Sequence, residues 1–455
     1  MRFHSPAKIL AVFLALLTPA ATAEDWPQFL GPRGDATSTE TGLIDRFPII
    51  GPPIVFSKAI GTGYAAPSVR GNLLVLHHRI GNEEIVDALD KKTGKRIWAH
   101  QYPTAYRDPF GYNNGPRCTP LLTTDRCYSF GAEGKLYCLD LETGKEIWFR
   151  DTAKDFNVPQ AFFGVGSTPI LEGNLLITMV GGQPNSGMVA FDSKSGKTVW
   201  ENVGAKTWTG EPMLDWPGER TVPWQDHWKQ ASYASPVAAT VHGKRMIFSL
   251  MRQGLVVINP RDGSEYFSRW FRARVNDSVN AANPVVIGNR VHCSAAYYGV
   301  GGFTLDIKPD GKSFDTIWHN RVLEVHWMTP IYHQGYLYAF SGRDEPDAFF
   351  RCVKFDTGEL LWQRDERWAK YSSNKTPDVY GRGSIVMADN KLIVLGEGGL
   401  LGLFEVNPQK PVELARWQVP GLKHPCWATP VLSDKTVYLR SENRLVALDF
   451  AKANR

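Results

Sequence analysis

Apolar and polar residues alternate in short runs along most of the chain, with glycine-centred turns between the runs. Residues 118–148 show the unit most clearly: CTPLLTTDRCYSFGAEGKLYCLDLETGKEIW. The pattern predicts four strands, at Thr119 to Thr123, Arg126 to Phe130, Lys135 to Leu139 and Glu146 to Arg150. Gly131-Ala132-Glu133-Gly134 turns the chain after the second strand, and Thr143-Gly144 after the third. β-rich runs joined by turns with glycine at the tight position make an antiparallel meander.

The unit recurs. Equivalent endings fall at Trp98, Trp148, Trp200, Phe267, Trp318, Trp362 and Trp417. Starts are marked independently by YAAP, RCTP, GSTP, YASP, AANP, WMTP and WATP, at Pro67, Pro120, Pro169, Pro236, Pro284, Pro330 and Pro430. One further unit begins near GRGSIV, with Ser384 in place of the proline. Eight starts spaced 46 to 67 residues apart, each opening four strands, are the signature of propeller blades. The eight starts meet only seven endings, because the last unit stops at Phe450. Pro53-Ile54-Val55-Phe56 resembles a missing fourth strand, with Phe56 in the tryptophan place. The expected fold is therefore all-β: an eight-bladed β-propeller of four-stranded antiparallel blades, closed by an N-terminal strand that removes the exposed edges. An open solenoid would need capping repeats, and none is visible.

The repeat makes one domain of residues 24–455, where length alone would suggest two or three. Residues 1–23 read as a signal peptide: Arg2 and Lys8, an apolar run from Ile9 to Leu17, and Ala21-Thr22-Ala23 before Glu24. The apolar run is too short for a permanent span, no lipobox cysteine follows, and no later stretch is long enough to cross a membrane. The expectation is an exported protein of the periplasm or extracellular space, with peripheral envelope association as its contact with membranes. The formal charge of +5, from 51 basic and 46 acidic residues, is weak and evenly spread, which argues against nucleic acid. Six cysteines include no C-x-x-C, so thiolate zinc and haem c are not indicated. Cys127 and Cys138 stand symmetrically about the 132–133 turn, as a disulfide or as a free buried pair.

Connections between blades are long and rich in charge and rings, notably 100–117, 150–166, 201–232 and 363–382. The 201–232 connection carries Trp208, Trp216, Trp224 and Trp228, the last two being candidate lid rings. In a propeller these connections share a face with the turns between second and third strands. The opposite face carries tight turns such as Gly71-Asn72 and Gly288-Asn289. Binding is therefore expected on the first face, at the mouth of the central channel. Three positions before the start proline, or its equivalent, stand Tyr64, Arg117, Tyr233, Trp327, Gly381 and Trp427. With neighbours from the connections and turns, the candidate ligand-binding set is Arg117, Arg252, His326, Trp327, Arg382, Trp427 and Arg440. Aromatic faces beside guanidinium forks suit flat, sugar-like or carboxylated ligands. His77, Arg79, Arg343, Asp344, Glu397, Lys423, His424 and Glu442 fall nearby in the same reading. By contrast, Asp90, Asp140, Asp192 and Asp356 serve turn amides, and the repeated tryptophans dock blades. Of the consecutive His77 and His78, strand alternation lets only one point inward; His326 and His424 are a candidate metal pair two blades apart. No G-x-S-x-G elbow or other catalytic motif is present, so the enzyme question stays open.

The AxDxxTGKxxW-like repeat resembles that of quinoprotein alcohol dehydrogenases and of the outer-membrane assembly propeller. DWPQFLGPRGD (25–35) and CWATPVLSDKTVYLRSENRLVALD (426–449) are similar to exported PQQ-like β-propeller proteins of planctomycetes. The resemblance covers nearly all of 25–450 and implies the fold. Because the repeat occurs in enzymes and non-enzymes alike, it implies two functions: a non-catalytic propeller binding a protein or a carbohydrate-like small molecule, or a PQQ-dependent oxidoreductase with calcium beside the quinone, acting on an alcohol or sugar. A carbohydrate-active lyase or hydrolase is a third reading of the acids and rings at the mouth. The adjacent cysteine pair of the dehydrogenases is absent here, and no motif places their calcium ligands or catalytic aspartate.

Overall fold

The computed structural model describes Met1 and residues 24–158, 163–182, 186–202, 232–273, 278–368 and 378–452. The signal segment, the lid rings Trp224 and Trp228, and part of the 363–382 connection lie outside the described residues.

In the unit at 118–151 the strands are Leu121–Leu122, Arg126–Phe130, Lys135–Asp140 and Glu146–Asp151, paired antiparallel in chain order. Both middle strands are buried on both faces, so their alternation does not divide core from solvent. It divides one neighbour from the other. Cys127 and Leu139 pack with Val75 and Trp98 of the preceding sheet, whereas Tyr128 and Cys138 pack with Leu176 and Val189 of the following one. Eight such four-stranded sheets stand around the ring. Blades 1 to 7 cover 68–103, 121–151, 170–202, 237–270, 285–320, 331–365 and 384–418. Blade 8 joins 431–449 to the strand Ile54–Ala59, which pairs antiparallel with Arg444–Asp449. The expected architecture and its closure by the N-terminal strand are both observed.

The register separates the two cysteines. Cys127 lies opposite Leu139, and Cys138 opposite Tyr128, so the cysteines occupy opposite faces of blade 2 and are free thiols. The turn spans one residue more than the symmetric count allows, because the Gly131 N–H closes onto the Lys135 carbonyl. A one-residue shift of register reverses the face of a side chain, and the facing pair does not form.

Two inter-blade contacts explain the repeat. At the rim, Trp98, Trp148, Trp200 and Trp318 each lie on the turn glycine of the next blade. A Cβ on Gly144 would stand 2.4 Å from the Trp98 ring, and one on Gly196 would stand 2.7 Å from the Trp148 ring. Both glycines have φ near +70°, so glycine is required by conformation as well as by contact. The indole N–H groups of Trp98, Trp148 and Trp318 donate to Leu141, Ser193 and Phe355 carbonyls at 3.0, 3.1 and 2.8 Å. The same turns are tied by aspartate: Asp140 Oδ1 accepts from the Thr143 amide at 2.8 Å and hydroxyl at 2.6 Å. Where the pattern is broken, the N-terminal segment supplies the part. Gly51 lies on Trp417, and Phe56 lies on Gly94 of blade 1.

Near the axis, the residue before each start proline explains the second motif. The Thr119 amide donates to Thr168 Oγ1 of the next blade at 3.2 Å, Thr168 to Ser235 Oγ at 2.9 Å, and Ser235 to Asn283 Oδ1 at 2.7 Å. Asn283 continues to Thr329 Oγ1 at 3.4 Å. Side-chain acceptors thus satisfy buried backbone amides from blade 2 to blade 6.

The segment 24–53 lies across the tight-turn face. Trp26 bridges Val69, Thr37 bridges Met387, and Glu40 accepts from the Asp434 and Lys435 amides at 2.7 and 2.6 Å. Phe29, from this arm, lines the channel cavity.

Trp148→Ala is expected to cost about 3–5 kcal/mol of stability, as truncation of a large buried aromatic does. Calorimetry on the variant checks this; a melting curve close to wild type would show that the indole is not what docks the blades. Deletion of residues 24–57 is expected to expose the edge of Arg444–Asp449 and abolish cooperative melting, read by light scattering and circular dichroism.

Candidate functional site

The inner strands bring the residues three positions before the start prolines to one place. Tyr64, Arg117, Gly166, Tyr233, Ala281, Trp327 and Trp427, from seven blades, line a single cavity of about 210 Å³ at the connection side of the channel. Blade 7 has Gly381 at this position, where a Cβ would lie 2.5 Å from Glu397 Oε1. The small residue makes room for that carboxylate.

Around the cavity the rings form a continuous belt. Tyr233, Phe163, Tyr112, Trp427, Trp327, His326 and Tyr297 follow one another with centroid separations of 5.3, 5.8, 6.2, 5.1, 4.9 and 5.1 Å. Tyr64 joins Trp427 at 4.9 Å. These separations are those of tilted and edge-to-face pairs that fix ring orientation. Phe163, Tyr112 and Tyr297 come from the connections and a turn, where no repeat register marks them.

Behind Trp427 lies Glu397, fully buried in the wall. Its carboxylate accepts from the Arg382 amide at 2.8 Å, from Arg382 Nη2 at 2.9 Å and from Trp427 Nε1 at 2.9 Å, and His424 Nε2 stands at 3.7 Å. Burial works against this charge, but Arg382 and His424 outweigh it and hold the Glu397 pKa below the ordinary carboxylate value. Arg382 also reaches His326 Nδ1 at 3.1 Å and lies over the Trp327 ring at 4.5 Å. One buried carboxylate therefore orients an arginine, a tryptophan and, through the arginine, a histidine. Across the mouth, Arg117 Nη2 donates to Asp108 Oδ2 at 2.8 Å and its guanidinium faces Tyr64.

Five of the seven candidates thus line the cavity: Arg117, His326, Trp327, Arg382 and Trp427. The other two do not. Arg440 is buried beneath the wall, donating to the carbonyls of Ala65, His77 and Gly61 at 2.7, 3.3 and 3.2 Å, and it ties blade 8 to blade 1. Arg252 is buried likewise, its Nε donating to the Ser278 carbonyl at 3.1 Å. Both have the guanidinium expected of a ligand contact, but backbone carbonyls occupy it. Arg79 serves the 104–117 connection in the same way, through Tyr106 and Asn114 carbonyls.

The histidines do not converge. His77 and His78 lie on opposite faces of blade 1: His77 Nε2 meets the Tyr102 hydroxyl at 3.0 Å, and His78 Nε2 meets Asp87 at 3.0 Å. His326 is held by Tyr297 and Arg382, and His424 stands beside Glu397. Among the described residues, no group of three or more His, Cys, Asp or Glu side chains is placed to hold a metal ion. A wider cleft of about 1010 Å³, lined by Thr104, Glu133, Lys135, Thr152 and Val165, opens over blade 2 and lacks the ring belt.

With this geometry, comparison with known proteins is informative. A family profile described as "Outer membrane protein assembly factor BamB" matches residues 82–363, more than half of the chain. The chain belongs to this PQQ-like propeller family. Among solved structures, BamB from Moraxella catarrhalis is similar over 89% of this chain and 99% of its own, at 15% identity and a TM-score of 0.58. Quinohemoprotein alcohol dehydrogenase from Comamonas testosteroni is similar over 95% of this chain and 81% of its own, at 12% identity and a TM-score of 0.63. A europium-containing methanol dehydrogenase aligns over 93% of this chain and 89% of its own, at 13% identity and a TM-score of 0.53. No curated protein matches the chain. At these identities the likeness is one of fold. The cofactor implied by the dehydrogenases can be set against the residues of the mouth. Trp327 and Trp427 offer faces to a flat ring. The mouth lacks a described ligand cluster for a calcium beside such a ring, and Arg117 and Arg382 already face Asp108 and Glu397.

Burial, and then His78, Arg440 and His100, push the His77 pKa down to about 3; burial pushes His292 down to about 3 as well. The unfolded chain takes up these protons near pH 6.5 and the fold does not. Stability contributed by each neutral histidine is therefore present above about pH 6.5 and is lost as pH falls toward 3, by roughly 1.4 kcal/mol per pH unit. Denaturant titrations between pH 7 and 5 check this. His292→Gln is expected to flatten the slope relative to wild type, whatever its absolute stability.

Proposed function

We propose that this protein is an exported binding or scaffold propeller whose site is the connection-side mouth of the channel. There a ring-bearing small ligand, or a ring on a protein partner, stacks on the belt formed by Tyr64, Trp327 and Trp427. The observation that carries this reading is the belt itself: its rings are held rigidly around a cavity of about 210 Å³, and two of its arginines are matched by buried carboxylates. Such a surface selects by shape and stacking. Among the described residues it offers no nucleophile activated by a neighbouring base, and the reading of binding over hydrolase chemistry rests on that and on the belt. Export rests on the N-terminal segment alone. Consistent with a protein that does not cross a bilayer by helices, no helix among the described residues is long and apolar enough to span a membrane.

The alternative, a PQQ oxidoreductase, is favoured by the flat-ring geometry of Trp327 and Trp427 and by the dehydrogenase-like fold. Purified protein with added PQQ and calcium separates the two readings by absorption and native mass spectrometry. A stoichiometric bound quinone that turns over an alcohol would overturn the binding reading. For the binding reading itself, tryptophan fluorescence is to be titrated with methyl glycosides and their oligosaccharides. Trp327→Ala is expected to weaken binding roughly tenfold across related ligands, a loss of about 1.4 kcal/mol, with the fold intact by circular dichroism. Unchanged affinity in that variant would place the site elsewhere.

A further inference from the structure

Arg343 differs from the other arginines of the mouth. It lies in the turn between the second and third strands of blade 6 and lines the same cavity as Trp327 and Trp427. Its guanidinium stands over the rings of Tyr297 and Tyr298, at 4.8 and 4.4 Å from their centroids. Among the described residues, no hydrogen-bond acceptor or carboxylate meets that guanidinium. Two acids of the same turn, Asp344 and Asp347, are already committed. Asp347 accepts the amides of Arg343 and Asp344 at 3.1 and 2.7 Å, and Asp344 caps the short turn at Glu345–Asp347. Asp344 and Asp347 thus fold the turn, and among the described side chains neither matches the guanidinium.

The partner rings are also set up at a cost. Tyr298 has φ 55° and ψ 32°, the left-handed region that a bulky side chain rarely adopts, and its ring is 38% exposed. Gly299, behind it, has φ +73°, a backbone conformation that favours glycine. Strained, exposed aromatic residues held by their surroundings are a mark of ligand contact. Here the strain serves to lay a second ring under the arginine. A guanidinium stacked on two rings keeps its N–H edge pointed away from them, free to make a paired contact with a planar anion.

We propose that Arg343 is the specificity-determining residue of the mouth and that it receives the carboxylate of an acidic sugar ring stacked on Trp327 and Trp427. This rests on the mouth being the binding site. Arg117 and Arg382 already have their carboxylates, so an incoming anion finds its unmatched partner at Arg343. The cavity, at about 210 Å³, is smaller than the pockets that take drug-sized molecules and holds a single six-membered ring. A uronate meets both demands: an apolar face of C–H bonds for the indoles and one carboxylate on the rim.

The test compares methyl β-glucuronide with methyl β-glucoside, which differ only in carboxylate against hydroxymethyl, by tryptophan fluorescence and calorimetry on the full chain. The glucuronide is expected to bind roughly tenfold more tightly at low salt, with the margin shrinking as sodium chloride is raised. Arg343→Gln should abolish that preference, the glucuronide losing roughly tenfold more affinity than the glucoside, and Arg343→Lys should restore part of it. Equal affinity for the two sugars in the wild-type protein, or a preference that survives in Arg343→Gln, would overturn the assignment while leaving the mouth as the site. Binding of neither sugar would overturn the sugar class. PQQ binding that is lost in Arg343→Gln, with neither sugar bound, would replace the uronate with a flat aromatic carboxylate and overturn the proposal.

Discussion

An indole laid on a glycine is the contact on which the ring depends. A sheet of four strands cannot cover its own faces, so each blade is stable only between two others. The contact between Trp98 and Gly144, repeated by Trp148 with Gly196, fixes how far apart and at what angle neighbouring sheets stand. Because the ring occupies the space a Cβ would need, the tryptophan of one blade and the turn glycine of the next form a single requirement written at two places in the chain. That requirement is local to each interface. It explains how a chain with 15% identity to the Moraxella catarrhalis BamB keeps the same architecture over 89% of its length.

The inner belt has a different consequence. Thr168, Ser235, Asn283 and Thr329 hold the start strands together near the axis, and this locks the backbone just before each proline. Three residues before the proline the chain has left the belt and turned into the channel mouth. The side chain at that position takes no part in the amide relay, so it can be tryptophan, arginine, tyrosine, alanine or glycine from blade to blade, each set by its own neighbours in the mouth. The scaffold is repetitive and the mouth is not, which is the division of labour expected when a site is grafted onto a common fold.

This division also explains what was legible in the sequence. The blades, their closure by Ile54–Ala59 and the convergence of Tyr64, Arg117, Tyr233, Trp327 and Trp427 follow from patterns that recur with fixed spacing. Residues outside that register were opaque. Phe163 and Tyr112 join the belt from connections without a repeat. Arg252 and Arg440 have the chemistry of ligand contacts, but whether a guanidinium meets a channel or a backbone carbonyl is settled by packing that composition does not encode. The same is true of Arg343, which stood among the turn residues with nothing to rank it above Arg440. Cys127 and Cys138 show how narrow the margin is. Their symmetry about the turn was real, yet the turn closes one residue later, and that single step sends them to opposite faces. Glu397 was visible as a charged turn residue, but its part as the anchor of Arg382 and Trp427 depends on Gly381, next to Arg382 in the chain, leaving the space it fills.

Closing blade 8 with a strand from the beginning of the chain has a temporal consequence. Ile54–Ala59 leaves the ribosome long before Arg444–Asp449 exists. Through most of synthesis it is a strand without a sheet, and Phe56 has blade 1 to rest on but no neighbour to pair with. The sheets from blade 1 onward assemble by contacts between near neighbours in the chain, whereas the final pairing joins segments separated by nearly its whole length. Loop closure of that span sets a folding step of high contact order at the very end. Until it is complete, two open edges coexist on one molecule, at Ile54–Ala59 and at the third strand of blade 8. The identity of each as the other's partner is what keeps a finished ring from growing into a chain of molecules.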